Sequence, residues 1–186
     1  MYKTIIITYL YKNNNNNKQK KQKMENNIQI SQTYQVECFD FNGNLKWDET
    51  FKNLVVTAGR DHYLDATLKT GNASPAWYVG LKNTTATVAG DTMASKGWTE
   101  LVPYSDGTRP AYTVGTIASG SVDNSAAKAV FAISGTSTIF GAFLADDNTK
   151  AGITGILLGA GNFGASRAVL TGDTLNVTVT CSITSS

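Results

Sequence analysis

The sequence predicts a mainly β protein, an antiparallel β-sandwich or jelly-roll-like domain with one short helix near residues 57–69. The final segment, residues 175–183, alternates apolar and polar residues over its whole length, as half-buried strands do. The same Thr-, Val-, Ala-, Gly- and Ser-rich composition extends back to about Tyr34, and turn residues interrupt it at short intervals. Many short strands with a single helix favour a sandwich over alternating βαβ units.

Residues 1–30 are predicted to be a disordered tail, and residues 31–186 a single β-sandwich domain. Residues 12–27 are almost wholly Asn, Lys and Gln, so they have no apolar surface whose burial could offset the entropy of ordering. A further hypothesis is that translation starts at Met24 and that residues 1–23 are mistranslated upstream sequence, because AT-rich noncoding DNA encodes Asn and Lys runs.

The charge of the chain is divided unevenly between the tail and the body. Residues 1–24 contain six lysines and no acid, whereas the remaining residues contain more acids than bases, about −4 in net charge. The basic pI therefore reflects the tail, and no nucleic-acid binding through the folded body is predicted. No apolar run approaches the ~18 residues needed to span a bilayer, so no membrane association is predicted either.

The first element of the body is a predicted hairpin. Residues 33–41 place Tyr34, Val36 and Cys38 on one face, and residues 45–56 form the return strand. The Asn-Gly-Asn sequence at 42–44 between them tolerates the positive φ angles of a tight hairpin turn.

The second element is the predicted helix over residues 57–69. Thr57 is expected to cap it, apolar residues recur at helical spacing at Tyr63, Leu64 and Leu68, and Thr70-Gly71 ends the run. This helix is expected to close one end of the sandwich. The predicted strands that follow it are residues 76–82, 99–104, 111–117, 127–134, 136–145, 152–158, 167–170 and 175–183.

A G-x-G-x-x-G motif at residues 159–164 invites a dinucleotide-binding interpretation. Such a site needs a following helix and an acidic residue about 20 positions further on. Asp173 comes too early for that role, and Gly172 would break a helix. A glycine-rich loop between strands is therefore the preferred interpretation.

Other chemically suggestive residues lack partners in the sequence. His62 has Asp61 and Asp65 nearby, but no nucleophile elbow and no further metal ligands accompany it. The segment that begins at Asp146 starts like a calcium loop, yet it lacks the glycine and glutamate of an EF-hand. The sequence therefore predicts that the protein is not an enzyme, with no catalytic, cofactor-binding or metal-binding residues and no cofactor.

Two further residue classes leave alternatives open. Cys38 and Cys181 lie in strands that could be neighbours, and free thiols are preferred over a disulfide. The tryptophans and several tyrosines either form a carbohydrate-stacking face or pack in the core, and core packing is the commoner role. Trp77 and Tyr78 are adjacent in a predicted strand, so their side chains are expected on opposite faces.

Several phrases of the body are similar to those of one class of proteins. They are residues 36–40 with 42–47, 53–57, 76–81, 90–94 with 97–100, 128–131, 141–144 and 172–175. Together they resemble small structural proteins of tailed bacteriophages and prophages, of the head decoration or cement type. The resemblance covers roughly residues 34–183 and transfers no functional residue, because such proteins act through surfaces.

The resemblance implies a virion structural protein that binds and stabilises the outer capsid shell. Its partner would be the major capsid protein, it would form a homo-oligomer, a dimer or trimer, and it would reside on the capsid surface after synthesis in the bacterial host cytoplasm. The alternative is a phage tail-fibre or receptor-binding β-domain that recognises host surface glycans through its aromatic residues. The number of copies per particle distinguishes these two functions.

Overall fold

The computed structural model describes residues 27–69, 71, 75–83 and 85–185, and it confirms the predicted mainly β fold. Two antiparallel sheets and one α-helix make up the described part of the chain. The elements are β1 (Ile28–Phe39), β2 (Leu45–Lys52), β3 (Leu54–Val55), α1 (Thr57–Leu68), β4 (Tyr78–Lys82), β5 (Glu100–Leu101), β6 (Ser121–Asp123), β7 (Ala129–Ala132), β8 (Ser137–Ala145), β9 (Leu157–Val169) and β10 (Thr174–Ser185).

The predicted tail lies largely outside the described residues, and so does the hypothesis about Met24. At the boundary, β1 begins at Ile28, so residues 28–30 belong to a strand rather than to the tail. Their partners are the last residues of β10, with Ile28 opposite Ser185. Among the described residues, no helix is long and apolar enough to cross a membrane.

The first sheet, sheet A, has the order β2-β1-β10, with both β6 and β7 paired to the far edge of β10. The predicted hairpin is formed by β1 and β2, and Gly43 at its turn has a φ of 84°. The strand predicted at residues 175–183 is the central part of β10. Alternate residues of β1 and β10 are buried, including Val36 and its partner Val177.

The second sheet, sheet B, has the order β3-β9-β8-β4-β5. Its central strand β8 is buried on both faces from Gly141 to Ala145. Leu144 belongs to the main core between the sheets, whereas Phe143 belongs to a second cluster on the outer face, with Met93 and Trp98. Burial on both faces explains why β8 has a continuous apolar run while the strands of sheet A alternate.

Several predicted strands differ from the observed ones. The return strand predicted over residues 45–56 is divided at Asn53 into β2 of sheet A and β3 of sheet B. Residues 111–117 make only an isolated bridge, between Ala111 and Tyr78, instead of a strand. The predicted strands 152–158 and 167–170 overlap only the two ends of one long strand, because β9 starts at Leu157, continues through the glycine-rich motif and ends at Val169. The short strand β6 has no counterpart among the predictions.

Helix α1 lies where the sequence predicts it, but other residues hold it in place. No side-chain hydrogen bond caps its first turn, contrary to the prediction for Thr57. Leu64 and Leu68 are exposed. The buried residue is Gly59, where an added Cβ would lie 2.0 Å from the carbonyl oxygen of Leu158. Close backbone contact with β9, rather than leucine packing, therefore positions the helix.

Candidate functional site

The G-x-G-x-x-G motif lies inside β9, so the prediction of a loop is wrong. An added Cβ at Gly159 would lie 2.4 Å from Nδ2 of Asn53, and one at Gly161 would lie 2.9 Å from Cδ2 of Phe51. Phe51 belongs to β2, and Asn53 follows that strand. This segment approaches β9 too closely for a residue larger than glycine at positions 159 and 161. The motif therefore serves packing, and a strand follows it where a dinucleotide site needs a helix.

His62 is part of α1 and packs against an aromatic ring. Its ring centroid lies 5.1 Å from that of Trp77 in an edge-to-face arrangement. Of the nearby acids, Asp65 is paired with Lys69 at 2.6 Å. Within the part of the chain that the structure describes, no three His, Cys, Asp or Glu residues are grouped so that they could hold a metal ion.

The segment that begins at Asp146 forms a polar turn. One carboxylate oxygen of Asp146 accepts a hydrogen bond from the backbone N–H of Ile156 at 2.5 Å. The carboxylate of Asp147 accepts from the hydroxyl of Thr154 and, at 2.8 Å, from the backbone N–H of Thr149. These hydrogen bonds, the Thr154 hydroxyl first, lower the pKa of Asp147 to about 2. Both carboxylates are thus engaged in shaping the turn.

Cys38 and Cys181 lie on neighbouring strands, and both are free thiols, as predicted. Cys38 is opposite Leu175, whereas Cys181 is opposite Gln32. The two positions are therefore six residues apart along β1, or about 20 Å at ~3.4 Å per residue. A disulfide needs Cα atoms within ~7 Å, so this register excludes one.

The tryptophans pack inside the protein. Trp77 and Trp98 are buried, and Trp47 is half-buried with its ring edge-to-face on Phe163 at 5.9 Å. Tyr78, which follows Trp77, is half-buried. These residues therefore do not form the exposed ring faces on which a sugar would stack.

The clearest concave feature is an apolar cavity of about 320 Å³ beneath α1, where the helix lies over one end of the sandwich. Residues from both sheets and from the helix line it. They are His62, Tyr63, Ala66, Thr67, Trp77, Tyr112, Val114, Ile117, Gly120, Ser121, Val122, Leu144, Leu158, Cys181, Ser182 and Ile183.

A buried polar cluster lies at the sheet A side of this cavity. The buried side chain of Gln32 has two polar neighbours. Cys181 is its partner on β10, and Nδ2 of Asn53 donates a hydrogen bond to its amide oxygen. Three buried polar atoms have no hydrogen-bond partner among the described residues: Nε2 of Gln32, the hydroxyl of Tyr34 and Oδ1 of Asn53. Such atoms are rare in folded proteins and cost free energy unless something satisfies them.

Tyr63 and Cys181, which line the cavity, lie next to Gln32 of this cluster. Burial raises the pKa of Tyr63 to about 12, and the nearby amide of Gln32 opposes this rise. Burial also raises the pKa of Cys181, opposed by the side chains of Tyr112, Tyr63 and Gln32. At neutral pH these groups are uncharged, so this wall of the cavity offers hydrogen bonds without charge.

A second feature is the tip of the first hairpin, which presents Phe41 and Leu45 to solvent; we call this pair of residues the hairpin tip. Phe41 is 81% exposed and Leu45 is 55% exposed. The turn is locked by Asp40, whose Oδ1 accepts hydrogen bonds from the backbone N–H groups of Asn42 at 2.9 Å and Asn44 at 2.8 Å. The hairpin tip is therefore an exposed apolar contact on a rigid support.

The sequence did not reveal a buried ion pair on sheet B. Both side chains of the Arg109–Glu100 pair are at most 4% exposed, and their closest atoms are 2.7 Å apart. Arg109 also donates to the backbone carbonyls of Asp147 at 2.6 Å and Gly152 at 2.9 Å. The guanidinium thus ties the loop that carries Arg109 to strand β5 and to the turn between β8 and β9, which is a structural role.

Comparisons of the chain with protein-family models, with curated proteins and with solved structures found no match.

Proposed function

We propose that the protein is a virion structural component that binds and stabilises the outer capsid shell of a tailed bacteriophage, as a head decoration or cement protein. The structural observation that supports the proposal is the hairpin tip, where Phe41 stands 81% exposed on a locked turn. The phrases that resemble phage decoration proteins supply the identity of the partner, the major capsid protein. The protein would be made in the host cytoplasm and reside on the capsid surface.

The hairpin tip suits binding to a preformed surface. Contiguous exposed apolar residues mark protein interaction sites, and Phe41, beside Leu45, is the most exposed large apolar residue in the described part of the chain. Because hydrogen bonds from Asn42 and Asn44 to Asp40 already fix the turn, ordering it on binding costs little entropy. The neighbouring turn at Gly172 supports the tip, since an added Cβ there would lie 3.5 Å from Cβ of Phe41.

Repetition would strengthen a contact of this size. Burying one phenylalanine contributes about 1.5–3 kcal/mol, which is too little for stable binding by itself. Assembly of the protein into a dimer or trimer would present two or three hairpin tips to the shell, and linked contacts raise overall affinity by ~10²- to 10⁴-fold. The proposal therefore includes a homo-oligomer.

Cosedimentation with capsids tests this proposal. Heads of the phage that carries this gene, stripped of the protein, would be mixed with the wild type, with Phe41→Ser, or with Leu64→Ser. Leu64 is a matched control, because it is 59% exposed on α1, away from the tip. We expect Phe41→Ser to bind at least tenfold more weakly and Leu64→Ser to bind like the wild type. Failure of the wild type to cosediment would refute the proposal.

The alternative, a tail-fibre or receptor-binding domain for host glycans, has less support in the geometry. It would use exposed aromatic faces, but Trp77 and Trp98 are buried and Trp47 is half-buried. Phe41 is exposed and lines a shallow depression with Asp40, Thr174 and Asn176, so the glycan alternative would act through this single ring at the hairpin tip.

A further inference from the structure

We propose that the cavity beneath α1 binds a small uncharged molecule that has an apolar body and one oxygen atom able to accept a hydrogen bond, such as a ketone. This inference does not rest on capsid binding. The cavity adjoins Gln32 near the start of β1, whereas the hairpin tip follows Phe39 at its end, roughly 24 Å away at ~3.4 Å per residue.

The size and walls of the cavity set the body of the ligand. A volume of about 320 Å³ equals that of about ten water molecules in the liquid, at ~30 Å³ each, and lies within the range of small-molecule sites. Trp77, Leu144 and Leu158 give its inner wall an apolar surface. An apolar ligand of about eight to ten carbon atoms would release water from this surface, which favours binding.

The mouth of the cavity is apolar as well. Val114, Ile117 and Ile183 line it and are 52%, 73% and 48% exposed. Three exposed apolar side chains around one opening exceed the scattered apolar residues of an ordinary surface. They offer an entering apolar molecule a continuous path from solvent to the inner wall.

The polar cluster sets the head of the ligand. Nε2 of Gln32 is a donor, is buried, and has no partner among the described residues. Gln32 does not itself line the cavity; the hydroxyl of Tyr63, which does, lies near this amide and near Cys181 and can donate to a ligand. A hydroxyl donor on the cavity wall calls for an acceptor on the ligand, and a carbonyl oxygen fits it.

The charge of the lining favours a neutral head. None of the described lining residues is Lys, Arg, Asp or Glu, and the one imidazole, that of His62, packs edge-to-face against Trp77. A carboxylate placed against Tyr63 and Cys181 would lose its hydration on a wall that holds no basic side chain, which is costly. The ligand class is therefore neutral.

Calorimetric titration of the full-length protein with 2-nonanone tests the inference, with nonanoate as the charged ligand of the same chain length. We expect saturable binding of one 2-nonanone per chain and at least tenfold weaker binding of nonanoate. Ala66→Trp should weaken 2-nonanone binding at least tenfold by filling the cavity, whereas Leu64→Trp, on the exposed side of α1, should not change it. Absence of saturable binding, or equal binding of nonanoate, would overturn the inference.

A second measurement needs no variant. Cys181 lines the cavity and Cys38 is fully buried elsewhere. Saturating 2-nonanone should slow alkylation of Cys181 by iodoacetamide at least fivefold, read by mass spectrometry of the two cysteine peptides, without speeding alkylation of Cys38. An unchanged rate at Cys181 would place 2-nonanone outside the cavity and would contradict the proposal. Neither experiment involves capsids, so its failure is distinct from failure of the proposed function.

Discussion

The position of α1 depends on the absence of a side chain at Gly59. Replacing a helical glycine with alanine usually stabilises a protein, but here we expect it to destabilise. An added Cβ would lie 2.0 Å from the backbone oxygen of Leu158, so the separation must grow by about 1.4 Å to reach an ordinary contact of 3.4 Å. A backbone oxygen in the middle of a sheet cannot swing aside as the end of a flexible side chain can. The helix must therefore move away from β9.

The magnitude follows from two opposing effects. Overpacking a core costs about 1–3 kcal/mol, and a clash with backbone belongs at the upper end. Removing a glycine from a helix interior returns about 0.5–1 kcal/mol. Gly59→Ala should therefore lower the free energy of unfolding by about 2 kcal/mol, although helix propensity alone predicts a gain.

Urea denaturation followed by circular dichroism measures this difference. Leu64→Ala is the control, because Leu64 is exposed on the same helix and its truncation should change stability by less than about 0.5 kcal/mol. A Gly59→Ala protein as stable as the wild type, or more stable, would refute the inference that backbone contact with β9 positions α1.

Three further predictions concern other residues of sheet B and its loops. Gly161→Ala should lower the free energy of unfolding by about 1–3 kcal/mol. Gly164→Ala is the control, because an added Cβ there meets nothing within 4 Å, and it should leave the free energy of unfolding unchanged or raise it by up to ~1 kcal/mol. Equal losses for the two variants in urea denaturation would contradict the packing role of the motif. Arg109→Met should cost about 3–5 kcal/mol in the same assay, because Glu100 then stays buried without its cation; a loss below about 1 kcal/mol would show that the pair is dispensable. Burial lowers the pKa of Lys82 from 10.5 to about 8. Between these two pH values the unfolded chain binds more protons than the folded protein. The free energy of unfolding should therefore rise from pH 8 towards pH 10. Lys82→Met should lack this rise, and an unchanged pH profile in the variant would contradict the assignment.

Local patterns predicted the fold class because they report directly on burial. The alternation in residues 175–183 and the Asn-Gly turn at Gly43 each depend on neighbours close in the sequence, and β10 and the first hairpin appear where expected. The loop predicted for residues 159–164 is wrong for a different reason. Glycine in a strand is favoured only when another chain segment approaches closely, and the approach of Asn53 is a tertiary contact that no local pattern contains.

The cavity could not be predicted from the sequence either, although the sequence contains one indication of it. Gln32 occupies the inward position next to Tyr34 in the alternation of β1, and a polar residue at an inward position indicates a buried hydrogen-bonding group. Its proximity to Tyr63 and Cys181 depends on how α1 and β10 pack. The helical spacing of Leu64 and Leu68 resembles a core-facing stripe and so suggested that they are buried, whereas both are exposed.

The number of copies of this protein in purified phage particles, induced from the host that carries the gene, distinguishes head decoration from the alternatives. Quantitative mass spectrometry would give the ratio of this protein to the major capsid protein. A head decoration protein predicts a ratio near a simple fraction of the capsid count, corresponding to many copies on every shell. Only a few copies per particle, or none, would contradict the proposed function, and a few copies would favour the tail-fibre alternative.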